Sequence, residues 1–221
     1  MFDYQFYWSM VWSKFPDLLD GAYLSIQITA ISIVLGLLIA MPLAIWRHSG
    51  RGGPLGALAA TWVELARNTP ALFQIYMAYF GLGALGLHLS SYAALLIAIT
   101  FNNAGYLTET LRGGMAAVAP QQTAAARSLG MTGFQSFIHV VFPQLFVIVF
   151  FPFVNQINWA LLNTSLGMMI GLRELTGATQ AAQAESFRTF EFFIVAAALY
   201  YLISKLISAG AHLAAWRLFK D

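Results

Sequence analysis

GGMAAVAPQQTAAARSLGMTGFQSFIHVVFP, residues Gly113 to Pro143, is a polar, helix-prone stretch set between two runs too apolar to live in water. Pro120 suits a first helical turn, Ala124, Ala125 and Ala126 are the best helix formers, and Gly130 follows as a C-terminal stop. That pattern predicts one short helix. Thr132, with Gln135 three residues on, has capping-box spacing and opens a second helix, Gly133 to Val141, which Pro143 ends or kinks at the next membrane entry. Two short helices meeting at a glycine form an elbow, and this is the chain's one substantial loop of cytoplasmic type.

The elbow sits in a chain of 221 residues that is 59% hydrophobic and only 9% charged, with mean hydropathy +0.70. Soluble domains carry about a quarter charged residues, so the composition is that of a membrane protein. A net charge of +2 with scattered basic residues gives no footprint for nucleic acid. Cysteine is absent, which excludes disulfides and thiolate metal or redox sites. His48, His88, His139 and His212 lie far apart without ligand spacing and read as surface or interfacial residues. The sequence contains no Gly-x-x-x-x-Gly-Lys-Ser/Thr loop, no nucleophile with a base and an orienting group, and no metal cluster, so the chain is expected not to be an enzyme and to need no cofactor of its own.

Five apolar runs are long enough to cross about 30 Å of hydrocarbon: Gly21 to Trp46, Leu55 to Ala84, Ser90 to Leu111, Gln144 to Ile170 and Phe192 to Trp216. The expected fold is therefore all-α, one membrane domain over residues 1–221, with five transmembrane helices and residues 113–143 as the cytoplasmic elbow. An odd number of spans puts the termini on opposite sides. With the N-terminus outside, Arg47, Arg51, Arg112, Arg127, Arg217 and Lys220 fall inside, against Lys14, Arg173 and Arg188 outside, as the positive-inside rule requires. Asp3, Asp17, Asp20, Glu174, Glu185 and Glu191 then all lie outside. The start of the chain is acidic and aromatic, unlike a cleavable signal, so no processing is expected. Within residues 1–20, Tyr4, Trp8, Trp12 and Phe15 share one helix side, either as an interfacial helix lying on the bilayer or as a stripe buried against a neighbour.

The second run is about 45 Å long as a helix, more than the membrane core, so it must tilt or break. Glu64 and Arg67, three apart, can pair on one face. Arg67-Asn68-Thr69-Pro70 reads as a helix end, a capping residue and a proline at a new first turn. A break there exposes backbone N–H groups and the positive end of a helix dipole, which suits an anionic substrate group; the alternative is a proline kink healed by neighbouring helices. In the third run Glu109 and Arg112 are again three apart. Asn102 and Asn103 need partners, and either line a pathway or join helices. The fourth run carries Asn155, Asn158, Asn163, Thr164 and Ser165 and then Gly167 to Gly171, so its outer half reads as polar and loosely wound; residues 172 to 188 follow as a short external helix. Lys205 falls at mid-depth in the fifth run, where a charge costs about 3 kcal/mol unless paired or wetted. It is expected inside the bundle or at a subunit interface.

These stretches resemble the permeases of ABC importers. The family's elbow motif is Glu-Ala-Ala, three residues, Gly, nine residues, then Ile-x-Leu-Pro. Here Ala124-Ala125-Ala126, followed by Arg127 and then Gly130, holds the first part, and Val140-Val141-Phe142-Pro143 the second. Ala124 replaces the glutamate and Phe142 the leucine. Arg67-Asn68-Thr69-Pro70-Ala71-Leu72-Phe73-Gln74 is similar to the Arg-Gly-Thr-Pro-Leu-Leu-x-Gln stretch of permeases for polar amino acids. Tyr106 to Gly113 is similar to their Ala-Tyr-x-x-Glu-x-x-Arg-Gly, with Gly105 for the alanine. Leu162-Asn163-Thr164-Ser165-Leu166, Ile170-Gly171 and Glu174-Leu175 are similar to Lys-Asp-Thr-Ser-Leu, Ile-Gly and Glu-Leu at the outer gate, with the Lys-Asp pair lost. The resemblance spans essentially the whole chain.

It implies a type I permease of the bacterial inner membrane that moves polar amino acids inward. Its partners would be two ATPase subunits that bind ATP and Mg, a second permease chain, itself or a related one, and a periplasmic binding protein. Ala124, Ala125, Ala126, Arg127, Gly130 and Pro143 would couple to the ATPases. Arg67, Asn68, Thr69, Pro70, Gln74, Asn102, Asn103, Asn163, Thr164 and Ser165 would line the substrate pathway. The rival is an ion-coupled secondary transporter or channel, which would be expected to show inverted repeats and free mid-membrane carboxylates. No repeat is visible, and only Glu64 and Glu109 leave room for it.

Overall fold

Helix α1 (Trp8–His48) begins inside the aromatic N-terminal stretch and continues unbroken to Arg47 and His48. Its 41 residues at 1.5 Å each make about 60 Å, roughly twice the hydrocarbon core. The computed structural model describes residues 4–50 and 53–219, and all of its regular elements are helices. Asp3, Arg51 and Lys220, which enter the orientation argument, lie outside the described residues. Among the described residues no separate interfacial helix precedes the first span. Trp8, Trp12 and Phe15 occupy the opening turns of α1, where Trp8 and Trp12 are exposed while Val11 and Leu18 are buried. The reading of the aromatic side as a stripe buried within the chain is therefore not borne out.

Helix α2 (Pro54–Asn68) starts on the proline expected of a first turn. It stops where the sequence calls for a break. Thr69 (φ −114°, ψ 145°) and Pro70 (φ −61°, ψ 137°) are extended, and α3 (Ala71–Ala84) begins behind them, with a wide π turn at Met77–Gly81. The third run forms α4 (Ser91–Ala117), which continues past Leu111 through Gly113 and Gly114 because nothing there requires a non-helical dihedral. The elbow is accordingly shorter than residues 113–143.

Helix α5 (Pro120–Ser128) is the first arm of the elbow. The second arm is not a short helix. Helix α6 (Gly133–Ile170) passes from α-helical Gly133–Ser136 through a π turn at Phe137–Val141 into a long α-helical stretch, Phe142–Asn163, and ends as 3-10 helix over Thr164–Ile170. Pro143 neither ends nor breaks it. The π turn immediately before the proline shifts the bonding register, with the Phe142 N–H reaching Phe137 O, and so accommodates a residue that has no N–H to donate. The tight 3-10 ending fits the loosely wound outer half read from the sequence. Helix α7 (Leu175–Ser186) is the short helix expected in 172–188, and α8 (Thr189–Leu218) the last span.

By length and composition α1, α6 and α8 can each cross a membrane alone. The other two expected spans differ in kind: one is the broken pair α2 and α3, and the other, α4, carries Glu109 and Arg112. The chain groups into two units, to both of which α1, α4, α6 and α8 contribute. In the first unit (through Ser32, with Pro70–Ile99 and Asn158–Ala209), Val11, Leu18 and Ala22 of α1 pack with Leu175 and Ala182 of α7 and with Phe192 and Ala196 of α8. In the second (Ile33–Thr69, Thr100–Ile157 and from Gly210 on), the core is Ala40 and Ala44 of α1, Leu107, Leu111 and Met115 of α4, and Leu145 and Val149 of α6.

Candidate functional site: a broken helix, an arginine cluster and an elbow

The break at Thr69 and Pro70 is built differently from the expected cap. Pro70 occupies the N-cap position of α3 and supplies no side-chain cap. Thr69 Oγ1 instead donates backward to Leu65 O (2.7 Å), and Asn68 Nδ2 donates to Glu64 Oε2 (2.6 Å). Both side chains thus finish α2 rather than begin α3. The Gln74 N–H bonds Pro70 O (3.1 Å), and the N–H groups ahead of it are those a helix start leaves without intrahelical acceptors. Asn68 and Pro70 are exposed, while Gln74 is buried.

The expected Glu64–Arg67 pair does not form, because each residue has a better partner. Glu64 holds Asn68, and the Arg67 guanidinium turns toward α4, 3.9 Å from Glu109 and 5.6 Å from the Tyr106 ring centre. Glu109 also takes Arg112 through Nε and Nη2 (2.7 Å for the closest contact), as their spacing predicts, and Arg47 from α1 at 2.8 Å. One carboxylate therefore faces three guanidinium groups, and its side chain is only 16% exposed. Sequence reading missed Arg47, for which the only signal was an arginine at the end of an apolar run. The substitution of Gly105 for the family's alanine has a local reason, since a Cβ there would run into the Ala66 side chain. With glycine, α4 closes on α2, and Asn102 Nδ2 reaches Ala66 O (2.9 Å), one of the carbonyls at the end of α2. Asn103, fully buried, accepts from Gln156 Nε2 (2.9 Å) of α6.

The polar group near the end of α6 turns back on its own helix. Asn163 Nδ2 donates to Trp159 O (2.9 Å), Thr164 Oγ1 to Leu161 O and Ser165 Oγ to Leu162 O (each 2.7 Å). Beyond them Glu174, fully buried, caps α7: Oε1 accepts the Gly177 N–H (2.8 Å) and Oε2 the Thr176 N–H (3.0 Å), while the Tyr200 hydroxyl donates to Oε2 (2.8 Å). Burial outweighs these donors and raises the Glu174 carboxyl above its ordinary value. The folded chain therefore holds this proton more tightly than the unfolded one, so the contribution to stability is full below the ordinary value of 4.5 and lost as pH rises through the raised folded value. The melting temperature of the native chain relative to Glu174→Gln is expected to fall as pH rises across that window. A difference independent of pH would show that burial does not govern this group.

The elbow is fastened at both ends. The Gly130 N–H bonds Arg127 O (3.1 Å) and the Met131 N–H bonds Ala126 O (3.2 Å), with Gly130 at φ +85°, a Schellman ending that needs glycine's freedom. Arg127 Nη1 reaches across the corner to Met131 O (2.7 Å). The capping box is complete, since the Thr132 N–H bonds Gln135 Oε1 (2.8 Å) and the Gln135 N–H bonds Thr132 Oγ1 (3.2 Å). Gln122 and Gln144 join the arms through their side-chain amides. Of the alanines, Ala124 and Ala125 are exposed and Ala126 is buried. Two large apolar side chains crown the corner, Leu129 at 81% and Phe134 at 74% exposure.

An apolar helical chain with a broken span and a rigid, partly apolar corner has the parts of an integral-membrane transport component. The chain belongs to the family described as the inner membrane component of binding-protein-dependent transport systems, which matches residues 23–217. It is 30% identical over 217 residues to the nopaline transport system permease protein NocM of Agrobacterium fabrum, covering 94% of this chain and 90% of that one. It is 28% identical over 206 residues to the glutamine transport system permease protein GlnP of Escherichia coli K12, covering 92% and 94%. A crystal structure of an amino acid ABC transporter with histidines matches with a TM-score of 0.89 at 27% identity, over 97% of this chain and all of that one.

Proposed function

We propose that this chain is the membrane-spanning permease subunit of a bacterial importer for polar amino acids. It works with a pair of ATPase subunits, which bind ATP and Mg, with a second, related permease chain, and with a periplasmic binding protein that delivers substrate. The observation that carries the reading is the elbow. Leu129 and Phe134 give a partner two apolar anchors on a corner whose geometry is fixed by the Schellman ending and the capping box. Helix α6, which carries Phe134 in its first turn, runs for 38 residues, about 55 Å, to its 3-10 ending. The corner is therefore continuous in the chain with the apolar part of α6.

The related substrates of the relatives support the choice of amino acids, and the start of α3, which Pro70 leaves without a side-chain cap, offers a place for an amino acid's carboxylate. Arg67, Asn68, Thr69, Pro70 and Gln74 surround that start in sequence and are the pathway residues most directly tied to it. The ion-coupled rival needs a mid-membrane carboxylate without a fixed counter-charge, whereas Glu109 faces three arginines.

The test is uptake of labelled polar amino acids in cells expressing this chain with its neighbouring transport genes. Depleting ATP while the ion gradients are kept should stop uptake, and dissipating the gradients while ATP is kept should leave it. The reverse pattern would favour the ion-coupled reading. In the same assay Pro70→Leu, which lets α2 run on into α3, should reduce uptake far more than Thr69→Ala, which removes a hydroxyl bonded to Leu65 O at the end of α2.

Orientation, with the N-terminus periplasmic and the C-terminus cytoplasmic, is checked with single cysteines, because the native chain has none. Cysteines at Trp12 and Glu185 should react with an impermeant maleimide in intact cells, and one at Gln122 only after permeabilisation. Labelling of Gln122 from outside would turn the elbow away from any ATPase.

A further inference from the structure

Lys205 stands on α8 between Phe192 and Trp216, the ends of the expected span. It is 13 residues from one and 11 from the other by numbering, or about 20 and 16 Å along a helix. Its four-carbon stem reaches neither interface, so the ammonium cannot snorkel to water. The polar neighbours on α8 are matched within the chain: Ser204 Oγ donates to Asn158 Oδ1 (2.8 Å), and Asn158 Nδ2 donates to Ser208 Oγ (3.2 Å). Lys205 points the other way. It is exposed, and its one contact among the described residues is the Tyr201 ring, 5.4 Å from Nζ to the centroid. The surrounding face is apolar and exposed as well, with Tyr201 at 66%, Leu202 at 53% and Leu206 at 64%.

A lone cation on an apolar helix face at mid-depth fits neither of two surroundings. Lipid offers it no counter-charge, and a watered pathway would not be walled by Leu202, Leu206 and Tyr201. It does fit a helix–helix interface in which the partner supplies an anion. We infer that the α8 face formed by Tyr201, Leu202, Lys205, Leu206 and Ala209 is the contact with the companion permease subunit, and that Lys205 pairs there with an Asp or Glu on a membrane helix of that subunit. Ala209, one turn beyond Lys205, lets the two backbones approach. Two copies of this chain joined through this face about a twofold axis would bring two lysines and no acid into the contact, so the companion is a related chain that bears the acid and not a second copy.

This inference rests on the permease reading for the existence of a companion, but its test is separate. In the complex purified from membranes, a cysteine at Leu206 is paired with cysteines placed along the acid-bearing helix of the companion, and copper phenanthroline is added. Strong disulfide formation at one position is expected, with neighbours one helical turn away next best. Lys205→Met should lower the companion recovered per copy of this chain at least fivefold, and Lys205→Arg should keep it near native. Lys205→Glu should lose the companion and regain it when the companion's acid is changed to lysine.

Three results would overturn the inference. Undiminished recovery with Lys205→Met and no cross-link from Leu206 would mean a lipid-facing lysine. Reaction of a cysteine at Lys205 with a charged methanethiosulfonate, blocked by substrate, would mean a pathway residue. Cross-linking of Leu206 between two tagged copies of this chain would mean a homodimer. Should no ATPase co-purify while Leu206 still cross-links to an acidic helix of another membrane chain, the importer reading fails and this one stands.

Discussion

Replacing Glu109 by glutamine is expected to leave little folded permease in the membrane, a larger loss than removal of any one of the arginines around it. The carboxylate is the shared counter-ion of Arg47 on α1, Arg67 on α2 and Arg112 on α4, and glutamine would leave three guanidinium groups gathered without an anion. Removing one partner of a buried ion pair costs roughly 3–5 kcal/mol, a large part of the stability of a typical domain at about 5–15 kcal/mol. Arg47→Gln should be the next most damaging, since Arg47 is the most enclosed of the three and ties the end of α1 to α4. Arg112→Gln should be mild, because Arg112 is more exposed and sits on the same helix as its partner. The measurement is the yield of monodisperse protein in mild detergent and the temperature at which half of it is lost. Combining Glu109→Gln with Arg67→Gln should recover part of the loss by lowering the repulsion. Native-like yield for Glu109→Gln alone would show that the cluster does not hold these helices together.

Several interactions between near neighbours in sequence were legible from the sequence. The capping box at Thr132 and Gln135, the stop at Gly130 and the Glu109–Arg112 pair are interactions over three or four residues, and all of them form. The break at Thr69 and Pro70 was legible too, because the length of the run and the proline pointed to the same place. Its chemistry was not. Thr69 and Asn68 could serve the end of α2 or the start of α3, and the choice went to the end of α2, where carbonyls already need donors. Arg67 abandoned Glu64 because α4 brings a carboxylate and an aromatic face near it from about forty residues away, which no local spacing reveals. Pro143 misled in the opposite sense. A proline is a strong local stop signal, but a π turn just ahead of it let α6 continue, and the continuity of α6 past the elbow was hidden behind an apparent helix end. Asn102 and Asn103 were legible as amides in need of partners. Which partners they have, Ala66 and Gln156, follows from packing made possible at Gly105.

Gly130→Val is expected to cut transport more than tenfold while ATP hydrolysis falls much less, so that the two activities separate. At φ +85° a β-branched side chain is strained by roughly 1–2 kcal/mol or more, and the strain is relieved by leaving the left-handed region. Leaving it breaks the bonds from Gly130 to Arg127 O and from Met131 to Ala126 O, which set the angle between α5 and α6. Leu129 and Phe134 sit on opposite sides of that corner in the chain, so a change of angle separates the two anchors of the proposed ATPase contact. The membrane part of α6 begins beyond the capping box and keeps its own core contacts at Leu145 and Val149, so the subunit itself should still fold. A graded series makes the prediction sharper than one variant can. Asn at position 130 tolerates the left-handed conformation and should transport nearly as well as glycine, Ala should be intermediate, and Val worst. Uptake and ATPase activity measured together on purified complexes in vesicles separate loss of coupling from loss of assembly, which would lower both in proportion. Equal uptake across Gly, Asn, Ala and Val at equal expression would mean that the left-handed residue does not set the corner, and the contact that transmits ATP hydrolysis would then have to lie elsewhere on the chain.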